Sequence, residues 1–176
     1  LYDGTICCIG PGCVVDPLSL LREMDEVRAN GTSLDGLRID WRAHIVMPYH
    51  LIIDALAETA KGAGDIGTTK KGIGPCYMDK AERVGIRFYD LVHPEVFAEK
   101  LRAMLENKKK YITGMFGADA YAANADRLDY DKVLAAYSDA ASKLARYGAD
   151  TTVIAYNANK EGKNVLFEGA QGTLLD

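Results

Sequence analysis

Long apolar runs are missing from this sequence. Although 48% of its 176 residues are hydrophobic, no stretch approaches the roughly 18–20 residues that cross a bilayer as a helix. The opening Leu1-Tyr2-Asp3-Gly4-Thr5-Ile6-Cys7-Cys8 is greasy but has no basic flank, so it does not read as a secretory signal. Basic residues are in deficit: 21 Lys+Arg face 25 Asp+Glu, for a formal charge of −4 and a pI near 5.4. An acidic chain has no general attraction for nucleic acid or an anionic membrane, so any anion site has to be local. Cysteine is sparse. Cys7, Cys8, Cys13 and Cys76 have neither the spacing of a disulfide framework nor the paired ligands of a zinc site. They are expected to be buried, reduced thiols, which points to the cytoplasm. Repeats of 20–50 residues and low-complexity tracts are also absent.

What is present is the pattern of an α/β protein that fits a single domain with a real core. Thr5 to Ile9 reads as a strand, followed by a Gly10-Pro11-Gly12 turn and Val14-Val15. Asp16-Pro17 has the form of an N-cap with proline at the first helical position. Leu18, Leu21, Met24 and Val27 or Arg28 continue that helix to Asn30-Gly31, and Leu37 to Ile39 is a short strand candidate. Pro48 opens a helix whose apolar stripe is Tyr49, Ile52, Ile53 and Leu56. Residues 62–80 are too rich in glycine to be expected as a regular element. Another helix begins near Pro94, burying Phe97, Leu101, Met104 and Leu105 before an exposed Lys108-Lys109-Lys110. Ile112 to Asp126 reads as loop. Val133, Leu134, Tyr137, Ala140, Ala141, Leu144 and Tyr147 give the strongest helical repeat, with Gly148 placed to end it. Asn164 to Glu168 reads as a buried strand running into a glycine loop that ends the chain, the expected mark of a piece of a longer protein. The fold class is therefore α/β, part of a mainly parallel-sheet enzyme, with a mostly helical insertion over about 94–150.

The most informative segment is Gly67-Thr68-Thr69-Lys70-Lys71-Gly72-Ile73-Gly74-Pro75. Glycines let several backbone N–H groups converge on one concavity, which suits a phosphate. The threonines add hydroxyl donors and the lysines add charge. Lys61, Lys70, Lys71, Lys80, Arg83 and Arg87 outnumber Asp65, Asp79 and Glu82, so positive charge gathers where the glycines are. Hydrogen bonds to a charged group contribute about 1.5–3 kcal/mol each, and three or four suffice for a micromolar anion site. The spacing is not that of a Walker A loop. A solvated surface loop is the competing reading. In the second loop, Glu168-Gly169-Ala170-Gln171-Gly172-Thr173, Gln171 offers a donor and an acceptor that suit a purine edge.

Three blocks together resemble adenylosuccinate synthetase. They are Arg42-Ala43-His44…Pro48-Tyr49-His50, Gly67-Thr68-Thr69-Lys70-Lys71-Gly72-Ile73-Gly74-Pro75-Cys76-Tyr77…Asp79-Lys80…Arg83, and Phe167-Glu168-Gly169-Ala170-Gln171-Gly172-Thr173-Leu174-Leu175-Asp176. The resemblance runs the length of the chain. It implies a GTP-dependent ligase that joins IMP and L-aspartate into adenylosuccinate, releasing GDP and phosphate, with Mg²⁺. Thr69 matches the threonine that binds the IMP phosphate, and Gln171 the glutamine near the reacting 6-position. Arg83 matches the arginine that reaches across a homodimer into the partner's IMP site. No nucleic acid or membrane partner is implied.

The resemblance also implies what this chain does not carry. The family's catalytic aspartate and histidine, its amino-terminal nucleotide loop and its carboxy-terminal guanine and aspartate sites have no counterpart here. Residues 1–176 correspond to a central part of a single α/β catalytic domain, with no catalytic residue or metal ligand of their own and no expected turnover alone. His44 and His50 are expected to pack or hydrogen-bond, and His93 to sit at a helix start. Pro11 and the Asp40-Trp41 pair depart from the family pattern, which puts local geometry there in question. Two other readings stand beside this one: an unrelated enzyme sharing only a phosphate loop, and a non-catalytic oligomerisation or nucleotide-binding module.

Overall fold

A computed structural model describes residues 4–61 and 69–169. Two small parallel sheets form its frame. Strands β1 (Cys7–Ile9), β3 (Leu37–Asp40) and β5 (Gly148–Ala149) pair in the order β1-β3-β5. Strands β2 (Val14–Val15) and β4 (His44–Ile45) pair separately. Cys7 registers with Leu37, and Ile39 with Gly148. Parallel neighbours require crossovers. Helix α1 (Pro17–Ala29) lies between β1 and β3, and a long helical stretch separates β3 from β5. That stretch holds α2 (Pro48–Lys61), α3 (Ile73–Glu82), α4 (Phe88–Leu91), α5 (Pro94–Phe116), α6 (Ala118–Ala122) and α7 (Tyr130–Leu144), and α8 (Thr151–Lys160) follows β5.

The helix starts follow from local chemistry. Asp16 Oδ1 accepts from the N–H groups of Leu18 (3.0 Å) and Ser19 (3.2 Å), as an N-cap does ahead of proline. Asp129 and Asp150 cap α7 and α8 in the same way. The core lies between sheet and helices. Ile39, Ile45, Met47, Tyr49, Ile52, Phe88, Phe97, Leu101, Ile112 and Leu144 are all essentially sealed from solvent. Asp40, fully buried at the end of β3, joins the sheet to α8. Its carboxylate accepts from Arg42 Nε (2.8 Å), the Thr151 N–H (3.0 Å) and Thr151 Oγ1 (2.7 Å). Burial opposes the charge, but these donors outweigh it and hold Asp40 well below the usual carboxylate range. Trp41 stacks on Phe88 with ring centroids 5.8 Å apart. Both family departures at 40 and 41 thus make definite local contacts.

Several sequence expectations meet a different structure. Residues 73–82 form helix α3, although glycine and proline fill its first turn. Proline is tolerated there because the first N–H groups of a helix have no intrahelical acceptor, and the helix closes with the Cys76 N–H on the Gly72 carbonyl (3.1 Å). Helix α5 continues through Ile112 to Phe116, and α6 with a 3₁₀ turn at Ala125–Leu128 replaces most of the loop expected over 112–126. Residues 163–169 are exposed and irregular, with Leu166 90% and Phe167 83% accessible, because no strand among the described residues pairs with them. Of the cysteines, Cys76 is buried, but Cys8 and Cys13 are exposed, at the edge strand and in the following turn. The helix expected to end at Gly148 does so through a 3₁₀ turn at Ala145–Tyr147, with Gly148 as the cap and the first residue of β5.

Candidate functional site

Helix α3 organises the site. Its start is fixed against α2: the Gly72 N–H donates to Asp54 Oδ2 at 3.0 Å. Gly72 has φ +71°, and a Cβ there would lie 2.8 Å from the His50 carbonyl carbon, so only glycine fits this approach. No side chain caps the helix. Its first-turn N–H groups, with the aligned peptide dipoles behind them, favour an anion at this end. Thr69, Lys70 and Lys71 precede that end and are exposed, Lys70 with φ +54°. Gly67 and Thr68 lie outside the described residues, as does Gln171.

Arg83 sits at the other end of α3. It is exposed and takes a left-handed φ of +67° as the C-cap, its N–H directed at the carbonyls of Asp79 and Lys80. Ten residues at about 1.5 Å of rise put the two ends of α3 roughly 15 Å apart. Thr69 precedes the start of α3 in the chain, and Arg83 closes its far end. Between them, α3 touches the Gly10-Pro11-Gly12 turn. Tyr77 OH donates to the Gly12 carbonyl (2.8 Å), and Lys80 Nζ donates to the Pro11 carbonyl (2.9 Å).

Beneath α3 lies a buried polar cluster that the sequence reading did not find. His50 Nε2 is 2.9 Å from Asp79 Oδ2, and Lys108 Nζ donates to Asp79 Oδ1. The Met47 N–H donates to His50 Nδ1 at 2.9 Å, so the ring's own proton belongs on Nε2, facing Asp79. All three side chains are nearly inaccessible. Burial pushes the His50 pKa down, more strongly than Asp79 pulls it up, and keeps the ring neutral. Burial likewise opposes charge on Asp79, but hydrogen bonds from His50 and Lys108 hold its carboxyl below the ordinary value. Lys108 is not the exposed lysine expected from the Lys108-Lys109-Lys110 run. Leu101, Met104, Lys108 and Ile112 fall at three- and four-residue spacing on the buried face of α5, and that periodicity was the available signal. A cleft of about 340 Å³ opens over this cluster, bordered by Pro75, Met78, Glu82 and Tyr111.

The other histidines behave as the sequence suggests. His44 is buried in β4, and His93 precedes α5 with its ring Nδ1 2.6 Å from the Tyr89 carbonyl. Among the described residues, no group of three or more His, Cys, Asp or Glu side chains could hold a metal ion. No helix among the described residues is long and apolar enough to cross a membrane.

Comparison with known proteins bears on the same residues. The family model for adenylosuccinate synthetase matches residues 1–176. The adenylosuccinate synthetase of Thermoanaerobacter sp. (strain X514) is 51% identical over 176 residues, covering 100% of this chain and 40% of that protein. That of Clostridium acetobutylicum is 47% identical over 178 residues, again with 40% of the relative covered. Among solved structures, the fully ligated adenylosuccinate synthetase from Plasmodium falciparum superposes with a TM-score of 0.81 at 32% identity, covering 99% of this chain and 39% of that one. The chain thus spans about two fifths of the length of the relatives it matches. A match of this extent sets aside an unrelated enzyme sharing only a phosphate loop. With the loop, the α3 helix and the sheet all inside the matched region, the chain belongs to the adenylosuccinate synthetase family.

Proposed function

We propose that this chain is the central part of a GTP-dependent ligase that joins IMP and L-aspartate to give adenylosuccinate, GDP and phosphate. Its contribution is part of the IMP site. In the complete reaction, GTP phosphorylates the 6-oxygen of IMP and the aspartate amine displaces that phosphate. The Thr69 hydroxyl and the open N–H groups at the start of α3 bind the 5′-phosphate of IMP. Gln171 orients the purine near its 6-position. Arg83 grips the phosphate bound by the partner of a homodimer, where a guanidinium fork suits a phosphate geometrically. Residues 94–150 form a helical insertion in one α/β catalytic domain. GTP and Mg²⁺ are held mainly by residues beyond this chain, which is inactive alone, and the enzyme works in the cytoplasm, where its thiols stay reduced.

The observation that carries this reading is the placement of Thr69 and Arg83 at opposite ends of α3. About 15 Å of helix between its two ends favours an arginine whose phosphate belongs to another subunit. Calorimetric titration of IMP into the purified chain, with inosine as control, tests the phosphate site. Saturable binding of IMP without binding of inosine is expected. Equal binding of both would remove the phosphate role of the Thr69 loop.

A further inference from the structure

We propose that Asp79, clamped by His50 and Lys108, is a positioning residue for Arg83. The inference rests on the reading of Arg83 as a phosphate ligand. Arg83 lies in a left-handed conformation that a non-glycine residue holds only when its surroundings enforce it. The enforcing group is the Asp79 main chain. Its carbonyl accepts from Val84 N–H (3.0 Å) and Gly85 N–H (3.1 Å), and the Arg83 N–H is directed at the same oxygen. One carbonyl thus gathers the turn that follows α3 and presents the guanidinium.

That carbonyl is fixed because the side chain of the same residue is fixed from two other helices. His50 comes from the first turn of α2 and Lys108 from the middle of α5. His50 is itself held by the Met47 N–H, so its ring cannot turn away without stranding that donor. Beyond the turn, the chain docks on β4, where the Ile45 N–H donates to the Ile86 carbonyl at 2.8 Å. Arg83 therefore stands on a short loop anchored at both sides. A cluster serving only to fill the core would not need to converge on the one residue whose carbonyl closes this loop.

The test is a comparison in two backgrounds of the complete enzyme containing this chain. Asp79→Asn with Lys108→Met removes the buried charges together and avoids leaving an unpaired ammonium. With Arg83 present, the pair is expected to raise KM for IMP about five- to tenfold while kcat changes less than about twofold. In an Arg83→Ala background, the same pair is expected to change KM less than about twofold, because groups acting through one another are not additive. An equal rise in both backgrounds, or no rise with Arg83 present, overturns the inference. If Arg83→Ala alone leaves KM for IMP unchanged, the phosphate role of Arg83 falls first and the inference falls with it. Sedimentation and thermal melting establish that the variants remain folded dimers. If the double variant does not, His50→Gln, which keeps the ion pair, is measured in the same two backgrounds with the same criteria.

Discussion

The indole of Trp41 occupies the space that any side chain at residue 148 would need. A Cβ built on Gly148 would lie 2.0 Å from Trp41 Cη2. Trp41 has little room to retreat, since it also stacks on Phe88 and meets Tyr89 edge-on at 6.4 Å. Gly148 is in turn fixed in the sheet by its register with Ile39. Gly148→Ala is therefore expected to destabilise the protein by about 1–3 kcal/mol, the usual range for overpacking. Chemical denaturation measures this directly. The same substitution made with Trp41→Leu is expected to cost less than the sum of the two alone. A Gly148→Ala protein as stable as its parent would show that the ring is not held in place.

The Trp41–Gly148 contact also shows where the sequence was readable and where it was not. Helix starts were legible because their signals are local: Asp16 before Pro17, Pro48, and Pro94 after His93 each act within one turn. Gly148 is legible as the end of a helical stretch, while the reason it must be glycine lies in Trp41, more than one hundred positions away. The Lys108-Lys109-Lys110 run suggests solvent for all three, whereas Lys108 has its partner Asp79 on another helix. Helix α3 is hidden from the sequence because glycine and proline lower local helical propensity, while Asp54 on α2 supplies the anchoring from outside. At the candidate site, Thr69 and Arg83 were recognisable as motif residues, but their separation by one helix was not. Neither was the cluster beneath them, since none of its members is near another in sequence.

Burial makes His44 a source of acid sensitivity. Its pKa is lowered from 6.5 to about 4, first by burial and then by the positive Lys80 and Arg87, against a hydrogen bond to the Arg42 backbone and the charge of Asp90. The ring is neutral in the folded protein. Below about pH 6.5 the unfolded chain takes up a proton that the folded one refuses. The stability from this group is therefore complete above pH 6.5 and lost as pH falls towards 4, by at most about 3 kcal/mol. His50, also lowered, adds a slope of the same sign, whereas Asp79 acts only at lower pH, below the ordinary carboxylate range. Denaturation midpoints measured between pH 7 and 5 are expected to fall in the parent and to fall less in His44→Gln. Identical slopes would exclude His44 as a source.

Subunit mixing gives the most direct check on Arg83. If its guanidinium serves the partner's site, a dimer of one Arg83→Ala subunit and one Thr69→Ala subunit contains one site with neither defect. That site takes Thr69 from the first subunit and Arg83 from the second, while the other site carries both lesions. Random reassociation makes about half of all dimers mixed, each with one intact site of two, so activity of the complete enzyme should recover to about a quarter of the parent level. Each variant alone is expected to be strongly impaired at low IMP. Were Arg83 instead to act in its own subunit, every site in the mixture would keep at least one lesion and mixing would restore nothing. The roughly 15 Å length of α3 favours recovery, because Arg83 closes the end of the helix away from the Thr69 segment and stands exposed, open to another subunit.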